Sequence, residues 1–184
     1  GESDVLYFYL PIKEFLSQSL KNRQWPLWTE NLAGGFPLLA EGQIGTFYLP
    51  NLILFRYLPT ITAYNLNFVI AFLLLSFGTY CFSRSLGFLK SSSILVALIF
   101  SYSGFFAVHL NHFDIIQSSS LLPFLFLAAF KLWLNPSILR SIMFAFLLSQ
   151  QIFSGYVNMV FITLFGICLF WIYLFLISAL SLFS

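Results

Sequence analysis

The sequence predicts an all-α fold: a polytopic transmembrane helix bundle with an N-terminal outward-facing interfacial segment. Three observations predict it. First, 60% of the 184 residues are hydrophobic and only 8% are charged, with a mean hydropathy of +0.92. A soluble domain carries roughly 25% charged residues. So few charges cannot cover a water-facing surface, and lipid must solvate most of this chain. Second, the chain beyond residue 60 is a series of apolar stretches, each near the ~20 residues that a bilayer crossing needs. Third, residues 1–60 break that pattern. They hold most of the charges and five of the seven prolines: Pro11, Pro26, Pro37, Pro50 and Pro59.

Taken in order, residues 1–60 read as an outer-face juxtamembrane loop with interfacial helices. Residues 5–20 fit an amphipathic helix that begins at Pro11, since proline is tolerated in a first turn and not in an interior. Tyr9, Ile12, Phe15, Leu16 and Leu20 give its apolar stripe, with Lys13, Glu14, Ser17 and Lys21 elsewhere. Such a helix suits the plane of the interface. Trp25, Trp28, Phe47 and Tyr48 are placed to anchor the next segment at headgroup level. Asn31 to Pro37 reads as a turn, because paired glycines permit positive φ and Pro37 blocks helix continuation.

Residues 61–184 read as a transmembrane bundle of about five helices. The first is expected at 61–82, the second at 92–108 and the third at 115–134, with Pro123 as a kink. After Arg140 no Asp, Glu, Lys, Arg or His occurs. That stretch is too long for one crossing at about 1.5 Å per residue, so it is expected to cross twice, breaking within 149–158. Arg84 and Lys90 occupy one short loop and Lys131 and Arg140 flank another, whereas 109–114 has no Lys or Arg. The positive-inside rule puts the two basic loops in the cytoplasm. The N-terminal segment, 109–114 and the break near 155 then face outward. The chain starts at Gly1 rather than Met, does not open as a signal peptide, and stops at Ser184 straight after an apolar run. It is expected to be a fragment of a longer membrane protein, with a helix before Gly1.

Several functions are excluded or given no support. The net charge is +2 with no dense basic run, so no nucleic-acid partner is expected. Cys81 and Cys168 lie inside apolar stretches and read as small hydrophobes. No P-loop, nucleophile elbow, zincin helix or dinucleotide fingerprint occurs.

Three polar groups could carry chemistry. Glu2 and Asp4, two residues apart, could share a cation, or one could act as a general base; the plain alternative is a solvated loop end. His109, His112 and Asp114 form the second. At i and i+3 the imidazoles share a helix face, and Asp114 could orient one ring. The readings are a metal site, a phosphate or sugar contact, or a polar cap in which Asn111 or Asp114 caps the following helix. Gln150, Gln151, Tyr156 and Asn158 form the third. Such groups either bind neighbouring helices or line an outward-facing cavity.

The order of several short elements resembles the YfhO family of bacterial membrane proteins. Asp4 comes first, then Tyr9-x-Pro11, Trp25-Pro-Leu-Trp28, Gly34-Gly-Phe-Pro37, Gln43 and Phe47-Tyr-Leu-Pro50-Asn51. Ser101-Tyr-Ser-Gly104, His109, His112, Leu122-Pro123 and Gly155-Tyr-Val-Asn158 continue it, covering the chain to about residue 160. Arg23 stands where the family's G-x-x-P-L-W element has Gly, and Tyr156 and Asn158 replace its His and Gln. The resemblance implies a GT-C-like multi-pass glycosyltransferase of the bacterial cytoplasmic membrane. Its donor would be a polyprenyl-phosphate-linked sugar and its acceptor would lie at the outer face. By the same resemblance Asp4 is the catalytic base, or Glu2 and Asp4 hold a divalent cation. Glu2, Gln43, His109, His112, Asp114, Tyr156 and Asn158 contact substrate. The alternatives are a non-enzymatic transporter or flippase for a lipid-linked sugar and a structural membrane subunit.

Overall fold

A computed structural model describes residues 5–30 and 34–181. The chain is an all-α membrane bundle. Among the described residues the extended pairing is a single antiparallel bridge between Thr29 and Phe36. A π-helical turn, Val5–Tyr9, leads into α1 (Leu10–Lys21). Then come α2 (Leu38–Glu41), α3 (Leu49–Tyr57), α4 (Thr60–Ser85), α5 (Lys90–Ser101) and α6 (Gly104–Val108). The chain continues through α7 (Phe113–Ser120), α8 (Leu122–Leu134), α9 (Ile138–Phe153) and α10 (Val157–Ser181). Four described stretches are long and apolar enough to cross a membrane: Thr60–Ser85, Lys90–Val108, Phe113–Leu134 and Val157–Leu180. Ile138–Phe153 is apolar but shorter.

Local chemistry sets the ends. Pro50 sits in the first turn of α3, where the missing N–H costs nothing; the described helical run starts at Val5 rather than at Pro11, and the wider π-turn lies just before the proline, which cannot donate back to it. α1 closes in a Schellman motif: Gln24 N–H donates to the Ser19 carbonyl at 2.8 Å and Arg23 N–H to the Leu20 carbonyl at 3.2 Å. Glycine normally fills the left-handed position of that motif. Here Arg23 fills it with φ 57°, which costs about 1 kcal/mol relative to glycine. The expected third helix is two, α7 and α8, broken at Leu121 because Pro123 lacks an N–H and its ring crowds the preceding turn. The expected second helix breaks too, at Tyr102-Ser103. The final apolar stretch turns at 154–156, inside the expected window, with Gly155 at φ 106°.

α4 is the central post, touching α1, α3, α5, α7 and α8. A Cβ on Gly78 would lie 2.9 Å from the Phe124 ring, so α8 approaches α4 at that glycine. α10 is the most hydropathic span, at 2.7, and only 17% of it is covered by protein. Its exposed Phe161, Phe165, Ile172 and Phe175 need lipid around them. Alternation of the spans puts the 85–90 and 134–138 connections at one end, with Arg84, Lys90, Lys131 and Arg140. Residues 5–60 layer over the other end.

Two expectations fail in that layer. Lys13 and Ser17, assigned to the polar side of α1, are fully buried, while Phe15 is only half-buried. The covered face is the row Ile12, Lys13, Leu16, Ser17, Leu20, because later chain folds over it: Ser17 donates to the Phe55 carbonyl at 2.8 Å and Lys13 to the Ile44 carbonyl at 2.6 Å. Tyr48, expected at headgroup level, is buried among Leu121, Leu125 and Ile167. Trp25 and Trp28 do stay exposed.

Candidate functional site

Three segments distant in sequence converge at the layered end. The 42–46 loop packs so tightly on the α9–α10 turn that a Cβ on Gly155 would sit 2.9 Å from the Gly42 carbonyl and the Gln43 Cα. Leu49 N–H donates to Gln150 Oε1 at 2.9 Å, fixing the start of α3 to the end of α9. Tyr9 donates its hydroxyl proton to Asp114 Oδ1 at 2.6 Å, fixing the π-turn to the start of α7.

Beneath that layer lies a buried charged centre. Lys13 is 0% exposed and Asp114 2%. Among the described residues the Lys13 ammonium has one hydrogen-bond acceptor, the Ile44 carbonyl, and lies 4.8 Å from the centre of the Phe113 ring and 5.7 Å from that of Phe55. Aromatic faces attract a cation that has lost its water. Burial brings the Lys13 pKa down from 10.5 to about 7, against the opposing pull of Asp114 and Glu41. Glu41 is pushed up, by burial first and by the Asp114 charge, although the Gln43 N–H donates to it at 3.0 Å. A lysine that titrates near neutrality can hold or release a proton at working pH. Phe113 is stacked on Tyr64 with centroids 4.4 Å apart. Among the described residues the buried hydroxyls of Tyr64 and Thr46 have no partner, which leaves two donors for water or a bound polar group.

An amide network lies deeper. Gln117 Nε2 donates to Asn51 Oδ1 at 2.8 Å and to Asn67 Oδ1 at 3.1 Å, while Asn51 Nδ2 donates to the Gly45 carbonyl at 2.9 Å. Gln151 Nε2 donates to the Ser118 carbonyl at 3.0 Å and to Thr163 Oγ1 at 2.9 Å. So Gln150 and Gln151 join neighbouring elements, the first of the two readings open to them.

The sequence-derived site residues divide into groups. Asp4 and Glu2 lie outside the described residues. Asp114 joins the buried centre, and its carboxylate accepts from Tyr9 and from the Ile115 N–H at 2.9 Å. Among the described residues it bonds no imidazole, so the ring-orienting expectation is corrected; His112 at the N-cap makes no side-chain cap, while Asp114 itself takes a first-turn N–H of α7. The physical reason is depth: Asp114 faces α1 while the histidines stay at the rim. His109 pairs its Nδ1 with the Phe105 carbonyl at 2.7 Å, and its ring lies 5.9 Å from that of His112. Gln43 sits beside Gly155. Asn158 is exposed, and its Nδ2 lies 3.5 Å from the Tyr156 hydroxyl. Among the described residues no group of three His, Cys, Asp or Glu is placed to hold a metal ion. Sequence reasoning missed Lys13, Tyr9, Glu41, Asn51, Asn67 and Gln117 as site members. Asn67 and Gln117 carried a signal, as amides inside apolar runs. The chain matches no protein-family model, no curated protein and no solved structure.

Proposed function

We propose that this chain belongs to an outward-facing membrane glycosyltransferase of GT-C-like type, working in a bacterial cytoplasmic membrane. The donor is a polyprenyl-phosphate-linked sugar and the acceptor a hydroxyl at the outer face. One observation carries the reading: the 5–20 segment, the 109–114 junction and the 42–46 loop meet at one end of the bundle over a buried Lys13–Asp114 centre. Glu2-Ser3-Asp4 immediately precedes that layer in sequence. The order of motifs shared with the YfhO family supports the same assignment.

In this mechanism the Asp4 carboxylate takes the proton of the acceptor hydroxyl as its oxygen attacks the anomeric carbon. The bond from that carbon to the phosphate oxygen breaks, and its electron pair leaves with polyprenyl phosphate. His109 and His112, at the rim, contact the donor phosphate, and Gln43, Tyr156 and Asn158 the sugar or acceptor. Any divalent cation falls to Glu2 and Asp4. Asp114 is a positioning residue that holds the π-turn through Tyr9. A transport path is disfavoured by the basic half of the bundle, where Thr79 and Ser83 hydroxyls are spent on carbonyls of their own helix.

The test is complementation of a deletion strain with Asp4→Asn in the whole protein. Loss of glycan modification at normal expression is expected. Full modification by that variant would sink the assignment.

A further inference from the structure

We propose a second site: Arg23 and Arg56, with Gln24 and Trp25, bind the phosphate of an anionic lipid headgroup at the layered end. Arg23 and Arg56, at the C-terminal ends of α1 and α3, line one cavity of about 270 Å³ together with Leu20, Gln24 and Trp25, and the Arg56 guanidinium lies 5.7 Å from the centre of the Tyr57 ring. Among the described residues no acidic side chain lines it. Two arginines on one cavity offer the planar, multiple N–H donors that phosphate oxygens accept.

The plain alternative is that each arginine merely offsets its own helix dipole. Two features go beyond that. A dipole contribution does not need both arginines to line one cavity. Nor does it need an arginine in the left-handed position that glycine fills more easily, yet Arg23 stands there at φ 57°.

The surroundings favour a lipid over a free anion. Arg56 ends an outward face of α3 formed by Leu49, Ile53 and Tyr57, which are 42%, 56% and 73% exposed. That apolar face needs lipid beside it. Trp25 and Trp28 are each 56% exposed at the same level, and tryptophan favours the headgroup zone. A phosphate held there stays attached to acyl chains that cover α3. The site involves none of Asp4, His109 or Lys13, so it stands or falls independently of the glycosyltransferase reading.

The experiment is native mass spectrometry of the whole protein in mild neutral detergent, titrated with phosphatidylglycerol or phosphatidylcholine. Arg23→Gly and Arg56→Gln are compared with wild type, and inorganic phosphate is added as a competitor. Wild type is expected to retain phosphatidylglycerol preferentially. Each variant is expected to weaken that retention about tenfold, the loss of one charge-assisted hydrogen-bonding group. Arg23→Gly keeps or raises the melting temperature, because glycine suits the helix end; should Arg56→Gln fail to fold, Arg23→Gly decides alone. Unchanged retention in Arg23→Gly, equal retention of phosphatidylcholine, or displacement by millimolar inorganic phosphate would each overturn the proposal, the last by making the free anion the ligand.

Discussion

Lys13 occupies a position that a leucine would fill without comment: zero exposure, one carbonyl acceptor, two aromatic rings and a carboxylate acting through space. Asp114 lies in reach of that cation through space and accepts from Tyr9 and the Ile115 N–H, and losing hydrogen bonds to a buried charge costs about 2 kcal/mol. Asp114→Asn should therefore destabilise by that order in detergent unfolding, and Lys13→Met on top of it should recover part of the loss. Additive effects in this double-mutant cycle would show that the two do not interact. The pH dependence has a definite sign. The unfolded chain keeps the lysine proton up to 10.5 and the folded chain only up to about 7. Between those values the unfolded state binds more protons, so this group makes stability rise with pH across that window and adds no slope below it. Lys13→Met should flatten the slope, as read from unfolding midpoints between pH 7 and 10. None of this was legible from residues 5–20 alone. A helical wheel offers Lys13 to either side, and what covers it is the Ile44 carbonyl, 31 residues later.

Among the elements, the breaks were far more legible than the burial. Proline, glycine and paired charges act locally, so the turn at 154–156 and the interruption before Pro123 follow from a few neighbouring residues. The interruption at Tyr102-Ser103 carries no proline; its local mark is the Ser103-Gly104 pair, which the expectation of one helix over 92–108 passed over. The contact between the 42–46 loop and the α9–α10 turn was silent, because it depends on a missing side chain. Gly155→Ala is expected to cost about 2 kcal/mol or more, from a positive φ and a 2.9 Å approach to the Gly42 carbonyl. Limited proteolysis should then cut first within residues 22–37, as the layer loosens from the bundle. Unaltered proteolysis and melting would show that the layer does not depend on this contact. The histidine cluster illustrates the other limit: spacing put His109 and His112 on one helix face with Asp114 in reach of a ring, but the chain turns between α6 and α7, leaving the histidines at the rim and sending Asp114 inward.

At the scale of the whole molecule, hydropathy and charge patterning gave the class, since lipid solvation constrains composition along every turn of helix; of the about five membrane helices expected, four described stretches are long enough to span and Ile138–Phe153 is shorter. The sidedness they imply is directly checkable. With Cys81 and Cys168 replaced by Ala, single cysteines at positions 87 and 136 should react with an impermeant maleimide only after the membrane is opened. A cysteine at position 111 should react in intact cells. Labelling of all three from one side would undo the topology. The latch between Tyr9 and Asp114 also has a bearing on assembly. Its partners are 105 residues apart, and the Leu49–Gln150 bond spans 101. At about 5–20 residues per second of translation, the first partner waits roughly 5–20 s for the second. During that interval α1 can dock on α3 and α4, but Tyr9 lacks Asp114 and Leu49 lacks Gln150, and three spans must be inserted before α9 emerges. The layered end of the molecule thus sets late, and a nascent chain released before α9 would carry three long spans with the join of α3 to α9 unmade.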